Sequence, residues 1–182
     1  KNDSNFSKSL AKYFDVYINE AFSASHRNHA SIVGITRYLP SLAGNSFIKE
    51  IENLDKLFSM PTKSKTVIIG GSKVSTKLKL LNNLIEFIDT LIIGGAMANT
   101  FLLAQEFNTG KSLVEKDLII DAKKILEKSS NYNTKVILPV DLVCSNNIKD
   151  ITNIHFVEVH NVLSDQIILD IGIKTIRLIK SS

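Results

Sequence analysis

Two near-copies of one hexapeptide, "TVIIGG" at 66–71 and "TLIIGG" at 90–95, constrain this chain more than any other feature. Each is a run of apolar, mostly β-branched residues that stops at two glycines. A continuous apolar run reads as a strand buried on both faces, since a solvated face would alternate with polar residues. Between the copies, "KVSTKLKLLNNLIEFI" (73–88) sets Leu81, Leu84, Ile85 and Ile88 on one stripe at helical spacing. Strand, helix and strand in that order form a βαβ unit with parallel strands.

The alternation continues downstream. "AMANTFLLAQEF" (96–107) and "SLVEKDLIIDAKKILEKS" (112–129) read as helices, the second opened by Ser112 and Glu115 at capping-box spacing. "KVILPVDLV" (135–143) reads as a strand closed by Pro139 and Asp141, and "HFVEVH" (155–160) alternates like another. The expected fold class is α/β, a parallel sheet with helices on both faces. Upstream the pattern differs. Residues 4–14 carry Phe6, Leu10, Ala11 and Phe14 at helical spacing, and Val16 and Ile18 mark a strand to about Asn19. Residues 23–31, "SASHRNHAS", read as a polar loop. Phe47, Ile48, Ile51, Leu54 and Leu57 then make an amphipathic helix over 47–60, broken by "PTKSK". A boundary is expected near residue 60, with this helix as connector.

The glycine pairs stand where open α/β sheets bind ligands, beyond the carboxyl ends of the strands. Without a Cβ, backbone N–H groups there can approach a ligand closely. Gly70 and Gly71 bring Lys73 with them, and Lys77 four residues on would share its helix face. Two ammonium groups over a helix start would hold a polyphosphate. The plainer alternative is a tight turn with two solvated lysines. The spacing is neither a Walker A loop nor a G-x-G-x-x-G fingerprint. The turn at Gly94 and Gly95 carries only Ala96, Met97 and Ala98, which suits an apolar ring or close packing. A third candidate is "SHRNHAS" (25–31), where Arg27 offers a planar fork for carboxylate or phosphate beside His26 and His29. No metal-ligand spacing accompanies these histidines.

Charge and composition narrow the partners. A net charge of +4, with lysines and carboxylates interleaved, suits a small anion better than a nucleic acid. The single Cys144, between apolar neighbours, excludes an intrachain disulfide and reads as a buried, inert thiol. No apolar run approaches the ~20 residues that span a bilayer, and no signal peptide is visible. A cytoplasmic setting is expected. The chain begins at Lys1 and its methionines are Met60 and Met97, so a fragment or processed chain is expected.

In order along the chain, these stretches resemble the phosphoglycerate kinase family. "DVYINEAFSASHRNHAS" is similar to the family's DVYVNDAFGTAHRAHAS, and "IIGGSKVSTK" to its LGGAKVSDK. "LIIGGAMANTF" and "GKSLVEK" match almost letter for letter, and "LPVDLV" and "LDIGIKTI" are similar to LPVDVV and GLDIGPKTI. The resemblance implies part of a two-lobed kinase of Rossmann-like lobes. Residues 1–45 would end the phosphoglycerate lobe, 46–60 form the interlobe helix, and 61–182 begin the nucleotide lobe. It implies transfer of a phosphoryl group between 1,3-bisphosphoglycerate and ADP, giving 3-phosphoglycerate and ATP in glycolysis. His26, Arg27 and His29 would hold phosphoglycerate. Lys73, with Arg27, would stabilise the phosphoryl group in flight, Lys77 would grip nucleotide phosphates, and Gly71, Gly94 and Gly95 would line the nucleotide site. Mg2+ would accompany ATP or ADP, its protein ligand lying outside these residues. The parent is expected to be monomeric and the fragment alone inactive; the other reading is a non-catalytic remnant.

The chain departs from the family pattern at several positions. Ile168 stands for the glycine before LD, a position that borders the adenine pocket, and Ile173 stands for a proline. Glu20 replaces an aspartate, Ser23 a glycine, and Thr76 an aspartate between the two lysines.

Overall fold

The computed structural model describes residues 2–59, 65–149 and 153–182. The chain divides into two compact units, Lys1–Thr62 and Lys63–Ser182.

In the first unit, helix α1 (Ser4–Ala11) is capped by Asp3, whose side chain accepts from the Phe6 amide at 2.7 Å. Strand β1 (Tyr17–Asn19) pairs in parallel with β2 (Ser41–Ala43), a strand that the sequence pattern does not reveal. Between them, 23–31 is irregular except for a single 3-10 turn at Phe22–Ala24 and the start of a wide π-type turn at Ala30–Gly34. Helix α2 (Asn45–Ser59) follows. Its amides at Ser46 and Phe47 donate to the Glu20 carboxylate at 2.9 and 3.3 Å, so the longer acid at position 20 serves as a remote N-terminal cap. The apolar stripe of α2 is far from buried: Ile48, Ile51 and Leu54 each keep about 40% of their surface exposed. The end of the expected helix at Met60, and the breaker at 61–64, lie outside the described residues.

In the second unit, β3 (Thr66–Ile69), β4 (Thr90–Ile93) and β5 (Lys135–Ile137) form a parallel sheet in the order β3-β4-β5. This is the α/β architecture that the hexapeptide repeat predicts. Every residue of β4 is buried. β3, paired only with β4 among the described residues, leaves Ile68 68% exposed, so burial on both faces holds for the central strand alone. Helix α4 (Ala96–Ala104) buries Met97, Phe101 and Leu102 almost completely against Leu81, Ile85, Leu91 and Ile93. Such apolar contacts carry most of the unit's stability.

Three stretches fold otherwise than their sequence patterns suggest. Helix α3 runs only over Leu78–Leu84, not from residue 73. Helix α5 begins at Ile119 after a 3-10 turn at Lys116–Leu118, and its Ser112–Glu115 pair is no capping box. The Ser112 hydroxyl instead accepts from the Ile168 amide at 2.8 Å, and Glu115 reaches forty residues back in the chain. The stretch 135–143 is two strands: the chain leaves the parallel sheet at Pro139, which has no N–H to donate, and β6 (Asp141–Ser145) starts a different sheet. There β6 lies between β7 (Ile154–Glu158) and β8 (Ile167–Ile171), antiparallel to both. Helix α6 (Ile173–Lys180) closes the described chain. Cys144 is fully buried in β6 and burial pushes its thiol pKa up, consistent with an unreactive side chain.

Candidate functional site

The register of the parallel sheet explains the glycine doublets. Ile69 pairs with Ile93, so both strands reach their glycines at one level. Gly95 has φ +66 and ψ −170, a region essentially reserved for glycine. A Cβ there would sit 2.8 Å from the Gly71 carbonyl oxygen and 2.9 Å from the Gly71 nitrogen. The two turns therefore pack backbone against backbone. The Met97 amide donates to the Gly71 oxygen at 2.8 Å, and the Gly94 amide to the Ile69 oxygen at 2.9 Å. Over Gly94 the space is open: a Cβ built there meets nothing within 4 Å.

Gly71 has φ +145, and a Cβ on it would lie 3.3 Å from Cε of Lys77. The Lys77 stem thus crosses the bare backbone of the first turn. Gly71, Lys77, Gly94 and Gly95 are brought together at the carboxyl ends of β3 and β4. The two lysines do not share a helix face, however. Residues 72–77 form an irregular turn, Lys77 precedes α3, and Lys73 lies in the turn itself. The turn is anchored by Val74, which is fully buried, and closed by the Lys77 amide donating to the Val74 oxygen at 2.8 Å. Thr76 Oγ1 donates to the Lys73 oxygen at 3.1 Å.

Glu115 holds the same turn from outside. Its carboxylate accepts from the Val74 amide, from the Ser75 amide at 3.1 Å and from the Ser75 hydroxyl at 2.6 Å. The Ser75 hydroxyl is the main reason that its carboxyl lies below the usual Glu range. Burial pushes the other way, and the two amides and the Lys73 ammonium add to the lowering. The capping-box pattern singles out Glu115 but gives it the wrong partners.

Beside Gly95 opens a cleft of about 100 Å³, lined by Ala96, Asn99, Leu142, Ile168 and Ile171 among others. Ile168 is part of this wall, so its side chain occupies space that a glycine would leave free. Asp141, next in the chain to Leu142 of that lining, caps α6. Its oxygens accept from the Lys174 amide at 2.9 Å, the Thr175 amide at 2.7 Å and the Thr175 hydroxyl at 2.6 Å. Burial pushes the Asp141 carboxyl up, but these donors and the Lys174 ammonium outweigh it and leave it below the ordinary value. Lys174 also pairs with Glu158. Ile173, which replaces the family proline, is the first residue of α6, where a proline would also fit.

His26, Arg27 and His29 belong to the first unit and share one exposed loop. The Arg27 amide donates to the Ala24 oxygen at 3.0 Å and the His29 amide to the Arg27 oxygen at 2.9 Å, which folds the loop tightly. His29 lines a shallow depression of about 210 Å³ with Phe6, Ala30 and Ser31. Among the described residues no group of three or more His, Cys, Asp or Glu side chains is placed to hold a metal, and no helix is long and apolar enough to cross a membrane.

The profile of the family described as phosphoglycerate kinase matches residues 1–182. The phosphoglycerate kinase of Granulibacter bethesdensis is 44% identical over 179 residues, covering 98% of this chain and 45% of that protein. That of Rhizobium meliloti is 45% identical with the same coverage. Among solved structures, phosphoglycerate kinase from Coxiella burnetii superposes with a TM-score of 0.81 at 36% identity, covering 97% of this chain and 46% of that one. The Pyrococcus horikoshii enzyme gives 0.81 at 27% identity, covering 100% and 48%. The chain thus spans about 45% of the length of the curated relatives it matches. With its whole length matched, the chain belongs to the phosphoglycerate kinase family.

Proposed function

We propose that the polypeptide carrying these residues transfers a phosphoryl group between 1,3-bisphosphoglycerate and ADP, giving 3-phosphoglycerate and ATP, in the cytoplasm and as a monomer. The observation that carries this reading is the Lys77 stem laid across the bare Gly71 backbone, beside the open backbone at Gly94 and an apolar cleft. A polyphosphate meets backbone and ammonium groups there, and an apolar ring meets the cleft wall. Lys77 binds the nucleotide phosphates and Gly71, Gly94 and Gly95 line their site. Lys73 and Arg27 neutralise the charge of the group in transfer, and His26, Arg27 and His29 receive phosphoglycerate. Such a reaction needs positioning and charge neutralisation rather than a covalent enzyme intermediate. Mg2+ would arrive with the nucleotide, and its protein ligand is assigned to sequence outside these residues.

Since the chain spans about 45% of its relatives, turnover is proposed for the complete polypeptide, and nucleotide binding without turnover for these 182 residues. In the complete polypeptide, Lys73→Ala should lower kcat on the order of 100-fold, as loss of one charge-stabilising donor does, with little change in nucleotide affinity. Unchanged kcat with weakened nucleotide binding would contradict the role given to Lys73.

A further inference from the structure

We infer that Glu115 is the positioning residue for the turn that bears Lys73 and sets Lys77 over Gly71, so that nucleotide affinity reads the brace through Lys77; a buried polar pair on α4 carries Glu115 to its place. The inference rests on the proposed nucleotide site and adds a residue to it. Helix α4 is apolar except for Asn99 and Thr100, which are 2% and 1% exposed. Polar groups so deeply buried must be satisfied, and both partners lie on one segment. Asn99 Nδ2 donates to the Leu113 oxygen at 3.3 Å, and the Glu115 amide donates to Thr100 Oγ1 at 3.1 Å. The segment 113–115 is therefore strapped to the helix that rises from the second glycine turn. The carboxylate of its last residue, Glu115, grips the two amides that follow Lys73 and the Ser75 hydroxyl. One line of contacts thus runs from the Gly95 turn through α4 and Glu115 to the backbone bearing Lys73. The turn needs such a brace because it is not helical and has no ladder of its own.

A carboxylate beside an anion site makes two opposite predictions. As a charge alone it opposes anion binding, so its removal tightens binding. As a brace it orders the turn, so its removal weakens binding although a negative charge has gone. The test uses the whole 182-residue chain, Mg·ADP as probe, and amide hydrogen exchange. In Glu115→Ala, the Val74 and Ser75 amides should exchange at least about tenfold faster, the loss expected for hydrogen bonds to a charged acceptor. Protection at Leu91 and Phe101 should be unchanged. Affinity for ADP should fall about tenfold. Glu115→Gln, which keeps an acceptor, should lie between, and Ser75→Ala, which keeps the carboxylate, should lose about threefold. Tighter or unaltered ADP binding in Glu115→Ala and Glu115→Gln would overturn the inference. If the unmodified chain bound no ADP, the nucleotide reading would fail by itself. The exchange rates would then decide alone: acceleration at Val74 and Ser75 in Glu115→Ala upholds the brace, and unchanged rates remove it.

Discussion

The two glycine turns begin alike and end differently. Both come after the same "IIGG" at the same level of one parallel sheet. After Gly95 the chain enters α4 at once, and that helix is buried along nearly its whole length. After Gly71 it makes an irregular turn, and α3 starts only at Leu78. The residues just beyond each glycine pair make the difference. Ala96, Met97 and Ala98 can be covered, so their helix packs into the core. Ser72, Lys73, Ser75 and Lys77 keep the first turn at the surface, with Val74 as its one buried anchor. The second turn is thus a rigid floor, and the first a charged arm resting on it and braced by Glu115.

The largest expected effect tests the floor. Gly95→Ala forces a Cβ into the Gly71 backbone from a conformation that only glycine adopts readily. It should cost about 3 kcal/mol or more by denaturant titration. A loss under about 1 kcal/mol would mean that the two turns do not abut. An intermediate effect separates the turns by acid. The Glu115 carboxyl is lowered in the folded chain, chiefly by the Ser75 hydroxyl. Its contribution is therefore complete above the unfolded Glu value of ~4.3 and is lost as pH falls through the lower, folded value. The Val74 and Ser75 amide resonances should shift in that acid window, while the Met97 amide, bonded to the Gly71 carbonyl, stays put. Parallel shifts at all three amides would erase the distinction. The smallest effect is the control: Gly94→Ala meets open space and should change stability by less than about 0.5 kcal/mol, a difference within one dipeptide that composition cannot supply.

These contrasts also mark how far the sequence is legible. Continuous apolar runs announce β3 and β4, and the apolar spacing of 47–57 announces α2, because each pattern is local to its element even where residues such as Ile68 and Ile51 stay exposed. Alternation in 155–160 announces β7 but not its direction, since a one-faced strand reads the same in either sense. Periodicity misplaces the start of α3 because the stripe of Leu81 and Ile85 extrapolates smoothly back to Lys73, while the force that opens the turn is a carboxylate forty residues away. Long-range partners leave no local spacing. The same blindness hides the cap that Glu20 lends α2 and the one that Asp141 lends α6. In the candidate site, residue type and spacing nominate the glycines, Lys73 and Lys77 but put the two lysines on a helix face that does not exist, and they give no hint of the partners of Glu115, Asn99 and Thr100. Their roles exist only once α4 and the 113–115 segment are side by side.

Calorimetric titration of the 182-residue chain with Mg·ADP, repeated on Lys77→Ala, bears most directly on the first turn as a phosphate cradle. Binding at millimolar strength or tighter, weakened about tenfold or more without the ammonium group, is the predicted result. Equal affinity in the two chains, or no heat in either, would contradict it.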